Sequence, residues 1–219
     1  IGSGECNNLP LIKYISKFKK PMIVSTGMNN LRSVNEVYKI LKKEKIPHAF
    51  LHCVNLYPTS YKQSRLSRIA ELQKKFKKSI IGYSDHTIGN TTAMAAISMG
   101  ARIIEKHFVI TRKKRGPDTI CSMDKKDLKS LISCSKNLFE AFSDKSELLK
   151  DEDITRKFAF HSVVAKKNIK QGEKIRISHL ATKRPGNGDF HANDLYRVVG
   201  KKAKQFIKQN TLIYKKQLS

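Results

Sequence analysis

Two apolar runs that each lead to a histidine limit what this chain can fold into: Ile81-Gly82-Tyr83-Ser84-Asp85-His86 and Ile104-Glu105-Lys106-His107-Phe108. Between them Thr91–Gly100 is rich in Ala, Met and Ile and stops on a glycine, which reads as a short helix. Strand, helix, strand in that order makes the two strands parallel neighbours. His86 and His107 then leave the same end of adjacent strands and can converge on one point. Two imidazoles there form a candidate divalent-metal site with open coordination positions, as a Lewis-acid catalyst requires.

The rest of the first half repeats the same rhythm. Pro21–Ser25 reads as a buried strand with a turn at Thr26-Gly27-Met28. Ser33-Val34-Asn35-Glu36 has the form of a capping box, opening a helix with Val34, Val37, Ile40 and Leu41 on one face and a stop near Lys45, before Pro47. Ala49–Val54 is the next strand, ending in Asn55-Leu56-Tyr57-Pro58-Thr59, and a helix is expected from about Ser60 with Leu66, Ile69, Leu72 and Phe76 to one side. After the two histidine strands, a last helix is expected from Asp124 to Phe142 with Leu128, Leu131, Ile132, Leu138 and Phe139 inward. Such alternation belongs to a (β/α) barrel or to an open doubly wound sheet. Each strand ends on a group that can bind or react (Ser25, Asn55, Ser84 with His86, His107), and a barrel gathers such ends at one mouth, whereas an open sheet spreads them along an edge. No G-x-G-x-x-G marks a dinucleotide site, so the barrel is preferred, although eight units are needed to close one.

From Glu147 to Arg156 the chain turns charged and loses its periodicity, which marks a linker. Beyond it come short β-like runs (Phe160–Ala165, Thr211–Tyr214) and turn signals at Gln171-Gly172 and Pro185-Gly186-Asn187-Gly188, the pattern of a small β-rich module. The expected domains are therefore 1–145, a linker at 146–156, and 157–219.

Composition excludes several classes. At 219 residues and 39% hydrophobic, the chain is globular in character. It has no apolar run approaching about 18 residues and no charged leader, so a soluble cytoplasmic protein is expected. Cys6, Cys53, Cys121 and Cys134 lack C-x-x-C pairing, which argues for reduced thiols rather than disulfides or a structural zinc. The net charge of +26 raises nucleic acid as a partner. The excess, however, is mostly lysine spread along the chain in pairs such as Lys42-Lys43 and Lys77-Lys78, with no aromatic-interleaved basic stripe. Solvated outer faces account for it, and no nucleic-acid or membrane partner is expected.

With these phrases set out, the chain resembles the sialic acid (N-acetylneuraminate) synthases over nearly its whole length. The resemblance is carried, in order, by Gly2-Ser3-Gly4-Glu5, Ser25-Thr26-Gly27-Met28, His52-Cys53-Val54-Asn55, Tyr83-Ser84-Asp85-His86-Thr87, Glu105-Lys106-His107-Phe108, Gly116-Pro117-Asp118 and Lys183-Arg184-Pro185-Gly186-Asn187-Gly188. It implies an α/β fold in which a (β/α)8 TIM barrel, here its later strands with the first ones missing, is joined to a β-rich antifreeze-like (SAF, β-clip) domain. It also implies a homodimer in which that domain reaches the partner's active site. The implied reaction condenses phosphoenolpyruvate with N-acetylmannosamine to give N-acetylneuraminate and phosphate, with Mn²⁺, or else Mg²⁺ or Co²⁺, held by His86 and His107. C3 of phosphoenolpyruvate attacks the polarised aldehyde, the oxocarbenium-like centre takes water, and phosphate leaves by C–O cleavage. On the same resemblance Ser3, Ser25, Asn55 and Ser84 hold phosphoenolpyruvate, Glu5 transfers a proton, Tyr57 and Asp118 contact the sugar, and Arg184 acts from the small domain. Taken as bare residues, Ser25, Ser84 and Asn55 could equally satisfy loop backbone groups. Synthases of legionaminate or pseudaminate share most of these motifs; Cys121-Ser122-Met123-Asp124 looks more like the N-acetylneuraminate makers. A fragment that only binds anions, without turnover, is the reading in a different class.

Overall fold

A computed structural model describes residues 1–113, 116–144 and 147–219. The chain divides into two compact units, Ile1–Asp144 and Lys145–Ser219. The expected domain boundary at residues 145 and 146 falls outside the described residues.

In the first unit, α1 (Leu9–Ser16) is followed by β1 (Met22–Ser25), α2 (Leu31–Lys43), β2 (His48–Cys53), α3 (Ser67–Lys75), β3 (Ile80–Asp85), α4 (Thr91–Ser98), β4 (Ile104–Lys106) and α5 (Lys125–Ala141). The strands form one parallel sheet in the order β1-β2-β3-β4, half the strand count of a closed (β/α)8 barrel. Parallel strands joined by crossover helices are covered on one face by those helices, so Val24, Phe50, Ile81 and Tyr83 are buried with Val37, Leu41, Ile69 and Leu72 of α2 and α3. Ahead of β1, the Ile1 ammonium donates to Ile23 O (2.8 Å) and Ile1 O accepts from Ser25 N (3.0 Å), which extends the pairing beyond the sheet proper.

Three helices depart from expectation, each for a local reason. The capping residue of α2 is Asn30, not Ser33: its extended backbone and its side chain, which accepts from Ser33 N at 2.9 Å, start the helix early and leave Glu36 to pair with Lys39. Asparagine is as good a cap as serine, so the second candidate lost to the first. The helix expected from Ser60 is delayed to Ser67. Ser60 Oγ closes a single 3₁₀ turn on Gln63 (2.6 Å), and Arg65 then adopts the left-handed region, φ 48°, which interrupts any continuous helix. In α5 the capping box is Asp124 with Asp127, as its start at Asp124 requires, but of the expected inward residues only Leu131 is buried. Ile132 is 48%, Phe139 71% and Phe142 59% exposed. The apolar stripe is present, and among the described residues of this unit nothing covers it. With Ile97, Ala101, Ile104 and Met123 it lines an open groove beside β4, whose outer edge pairs with no strand among the described residues.

The second unit builds on an antiparallel pair, β5 (Ser162–Ala165) and β6 (Leu180–Lys183), with the register Ser162↔Lys183 to Ala165↔Leu180. Val163, Ala165, Ile169, Ile175, Leu180, Ile207 and Ile213 make its core. The run Thr211–Tyr214 forms no strand; it contributes the single bridge Val164↔Leu212. Residues expected to be linker are partly ordered helix: a 3₁₀ turn at Lys150–Glu152 runs into α6 (Asp153–Ala159), held by an Asp153–Arg156 pair, and a short α7 (Leu195–Val198) follows later. Charge without apolar periodicity is compatible with a short surface helix, which the periodicity criterion misses. All four cysteines are free thiols, and among the described residues no helix is long and apolar enough to cross a membrane.

Candidate active site

Strand alternation divides each β-strand into a face toward the helices and an opposite face. On the opposite face, at the C-terminal ends, lie Ser25, Cys53, Ser84 and Glu105. The register sets Cys53 beside Ser84 and Ser84 beside Glu105. Ser84 Oγ donates to Glu105 Oε1 at 2.7 Å, and Ser25 Oγ reaches the same oxygen from β1 at 3.4 Å. One step beyond this polar shelf stand the two histidines, with ring centroids 5.2 Å apart.

His86 is buried, and its Nδ1 donates to Val54 O at 2.8 Å, which leaves Nε2 as the lone-pair nitrogen. Burial, reinforced by the neighbouring His107 and Lys106, holds this imidazole below the usual histidine range against the Val54 bond that raises it. A neutral imidazole is the ligating form. Tyr57 lies over His86 (4.1 Å between centroids) and stands edge-on to His107 (5.7 Å). His107 Nδ1 is 3.8 Å from Asp118 Oδ2. The structure thus gathers His86, His107, Tyr57 and Asp118 in one cluster, next to Ser25 and Ser84.

Ser3 and Asn55 converge from another direction, over Gly27. A Cβ at Gly27 would sit 1.8 Å from Asn55 Oδ1 and 2.8 Å from Ser3 Oγ, so only glycine allows both side chains to close over this turn. Ser3 Oγ accepts from Gly27 N at 3.0 Å, and Asn55 Oδ1 is 3.5 Å from the Cys53 thiol. Burial pushes the Cys53 and Cys121 thiols up, so neither is an activated thiolate. Glu5 is held at the start of α1, its Oε2 accepting from Asn8 Nδ2 at 2.7 Å. Arg184 is exposed in the second unit, next after the end of β6.

Residues 1–147 match the NeuB family, and residues 160–219 match the SAF domain. The chain belongs to the NeuB family. Among its NeuB relatives, N,N'-diacetyllegionaminic acid synthase of Campylobacter jejuni is 38% identical over 97% of this chain and 64% of that protein. The crystal structure of N-acetylneuraminic acid synthetase from Leptospira borgpetersenii superposes with a TM-score of 0.67 at 30% identity, covering 71% of this chain and 54% of that one. A truncated 3-deoxy-D-arabino-heptulosonate 7-phosphate synthase of Thermotoga maritima shares the fold alone (TM-score 0.54, 19% identity, 64% and 57% covered). The chain therefore spans less than two thirds of the Campylobacter relative's length.

Sequence reasoning missed Glu105, although it receives two serine hydroxyls, and also Asp85 and Lys106. The available signal was three charged residues at the ends of apolar runs, each one or two positions before a histidine already singled out.

His52, on the helix side of β2, gives a pH prediction. It is buried, stacked on Tyr83 (5.6 Å), and bonded through Nε2 to Ser64 O (2.7 Å); burial holds it below the ordinary histidine value of 6.5. Between that value and the lower folded-state one, the unfolded chain binds more protons, so stability is complete above about pH 6.5 and declines as the pH falls below it. Urea midpoints measured between pH 7.5 and 5 on this chain, joined to the part of the Campylobacter relative that it does not span, should show that decline. His52→Gln should make it shallower, and an unchanged profile would remove His52 as a contributor.

Proposed function

We propose that the chain supplies the catalytic end of a nonulosonate synthase that condenses phosphoenolpyruvate with N-acetylmannosamine to give N-acetylneuraminate and phosphate. The observation that carries this reading is the pair of imidazoles, 5.2 Å apart, above the Ser25–Ser84–Glu105 shelf. Among the described residues no group of three or more His, Cys, Asp or Glu side chains could hold a metal ion. A two-histidine set with the His86 Nε2 lone pair free fits an open site completed by substrate oxygens and water. A divalent ion there, Mn²⁺ by preference, would supply Lewis-acid polarisation of the open-chain aldehyde. Ser3 and Asn55 present hydroxyl and amide donors to the phosphoenolpyruvate anion, and Ser25 and Ser84 join them once their hydroxyls turn from Glu105 to it. Tyr57 and Asp118, on the open side of the histidines, meet the sugar. Glu105, anchored by Ser84, exchanges a proton at the reacting centre in this reading, with Glu5, whose carboxylate accepts from Asn8, as the second acid.

A second reading, synthesis of N,N'-diacetyllegionaminate, is favoured by the 38% identical relative. Phosphate release measured with the sugar precursors of the two products, on the chain completed as above, decides by the ratio of kcat/KM. No release with either sugar, with or without Mn²⁺, would overturn the synthase reading.

Arg184 gives a separate test. In a homodimer whose small domain reaches the partner's site, Arg184 meets only the sugar end. Arg184→Ala should then raise the sugar KM about tenfold or more, the loss of one charge-assisted hydrogen bond, with little change for phosphoenolpyruvate. Dilution that dissociates the dimer should reproduce the effect. Equal losses for both substrates would place the guanidinium at the phosphate instead.

A further inference from the structure

Asp85 and Lys106 form the only ion pair among the described residues in which both side chains are sealed from water, 0% and 1% exposed. Lys106 Nζ donates to Asp85 Oδ2 at 2.8 Å and to Thr87 O at 2.6 Å. Asp85 Oδ1 accepts from Thr87 N at 2.8 Å and from Tyr83 OH at 3.1 Å. Each charged residue immediately precedes a histidine, and the two are direct partners in the β3–β4 register. By alternation the charges lie on the helix-side face, directly behind the imidazoles.

Stability does not account for this arrangement. Burying two charges carries a desolvation penalty that an apolar pair of similar volume avoids, and such replacements are often neutral or stabilising. What the charges add is discrimination. A one-residue slip of β4 against β3 would turn His107 to the helix side and Lys106 away from it, leaving Asp85 buried without its partner. Lys106 and Asp85 also grip Thr87 through both its carbonyl and its amide, which fixes the peptide that follows His86. The His86 carbonyl is held in turn by Thr59 N at 2.9 Å.

We propose that the Asp85–Lys106 pair is a positioning device for the metal site, locking β3 and β4 in the one register that sets His86 and His107 side by side. The proposal rests on the metal reading of the histidine pair. Its residues touch neither the cation nor the substrate, so their effect is expected on affinity for the bare ion. Groups that orient metal ligands are worth roughly 10–100-fold in metal affinity, and this pair orients them through Thr87 and the strand register.

The test uses the full 219-residue chain joined to the part of the Campylobacter relative that it does not span. The double variant Asp85→Asn/Lys106→Met removes both charges but keeps an oxygen to accept from Thr87 N and Tyr83 OH. Co²⁺ titration followed by visible absorption should give a dissociation constant raised about 10–100-fold, while the melting temperature stays close to wild type. A double variant that melts normally and binds Co²⁺ as wild type does would show the pair to be structural only. If the variant does not melt cooperatively, the wild type answers through ¹H–¹⁵N spectra. During a Zn²⁺ titration the Lys106 ammonium and Thr87 amide signals should move in step with the His86 and His107 imidazoles, and unmoved Lys106 and Thr87 signals would overturn the proposal. A wild type that binds no Co²⁺ removes the metal reading, and the proposal with it.

Discussion

Replacing His86 or His107 with alanine is expected to abolish metal-stimulated synthesis and the Co²⁺ absorption while leaving the fold in place. On the proposed reading each histidine is one of two protein ligands, so the loss of either leaves a single imidazole, too few to retain an ion against water. Lewis-acid polarisation is worth several kcal/mol at the transition state, and at about 1.4 kcal/mol per factor of ten the rate should fall on the order of a thousandfold or more. The cost in stability is small by comparison. The His107 side chain is 36% exposed, and Asp118 Oδ2 stands 3.8 Å from its Nδ1, beyond hydrogen-bond distance. His86 surrenders one hydrogen bond to Val54, about 1 kcal/mol. The two variants should therefore melt within a few degrees of the parent while sharing the catalytic defect. Full activity in the presence of EDTA, in the parent or in either variant, would refute the assignment.

The convergence of the histidines was legible because it depends on only two things, the parallel neighbourhood of two strands and the period of alternation. Both are properties of short apolar runs; the register that sets Ser84 beside Glu105 and Asp85 beside Lys106 is a further fact of the folded sheet. Gly27 was legible as a turn residue but not as the floor beneath Asn55 and Ser3, because that contact joins segments far apart in the chain. Glu105 and the Asp85–Lys106 pair were hidden for a related reason. A charge inside a strand declares that it needs a partner, but the partner lies across the sheet and is named only once the register is known. The start of α2 was misplaced because two good caps, Asn30 and Ser33, compete within one turn, and that choice is settled by backbone geometry rather than residue type. The periodicity of α5 correctly marked an apolar stripe, yet periodicity says nothing about whether a neighbour exists to cover it.

That uncovered stripe supports the second large expectation: these 219 residues expressed alone should be aggregation-prone, partly molten and without synthase activity, despite carrying both histidines. Beside the groove of α4 and α5, the outer edge of β4 pairs with no strand among the described residues, and at the other end of the sheet β1 is met on its outer side by Ile1. Closing a barrel removes both edges, and open ones invite pairing between chains. Ile132, Phe139 and Phe142 stand 48%, 71% and 59% exposed along the same side, and Ile23 is 45% exposed on the sheet's inner face. If covering them removes about 300 Å² of apolar surface from water, the stabilisation forgone is about 7 kcal/mol at roughly 25 cal/mol per Å². Folded domains have only about 5–15 kcal/mol in hand, so the omission is comparable to the whole margin. The Campylobacter synthase is matched over 64% of its length, and the remaining part of such a protein is the occupant we expect for the groove and edges. Supplying that part in trans should restore solubility, cooperative melting and activity together, because one closure event buries the stripe, pairs the edges and completes the mouth at which the histidines stand. A soluble monomer of the 219 residues that melts cooperatively and turns over substrate would overturn this, since β4 and α5 would then have to be stable with their apolar side in water.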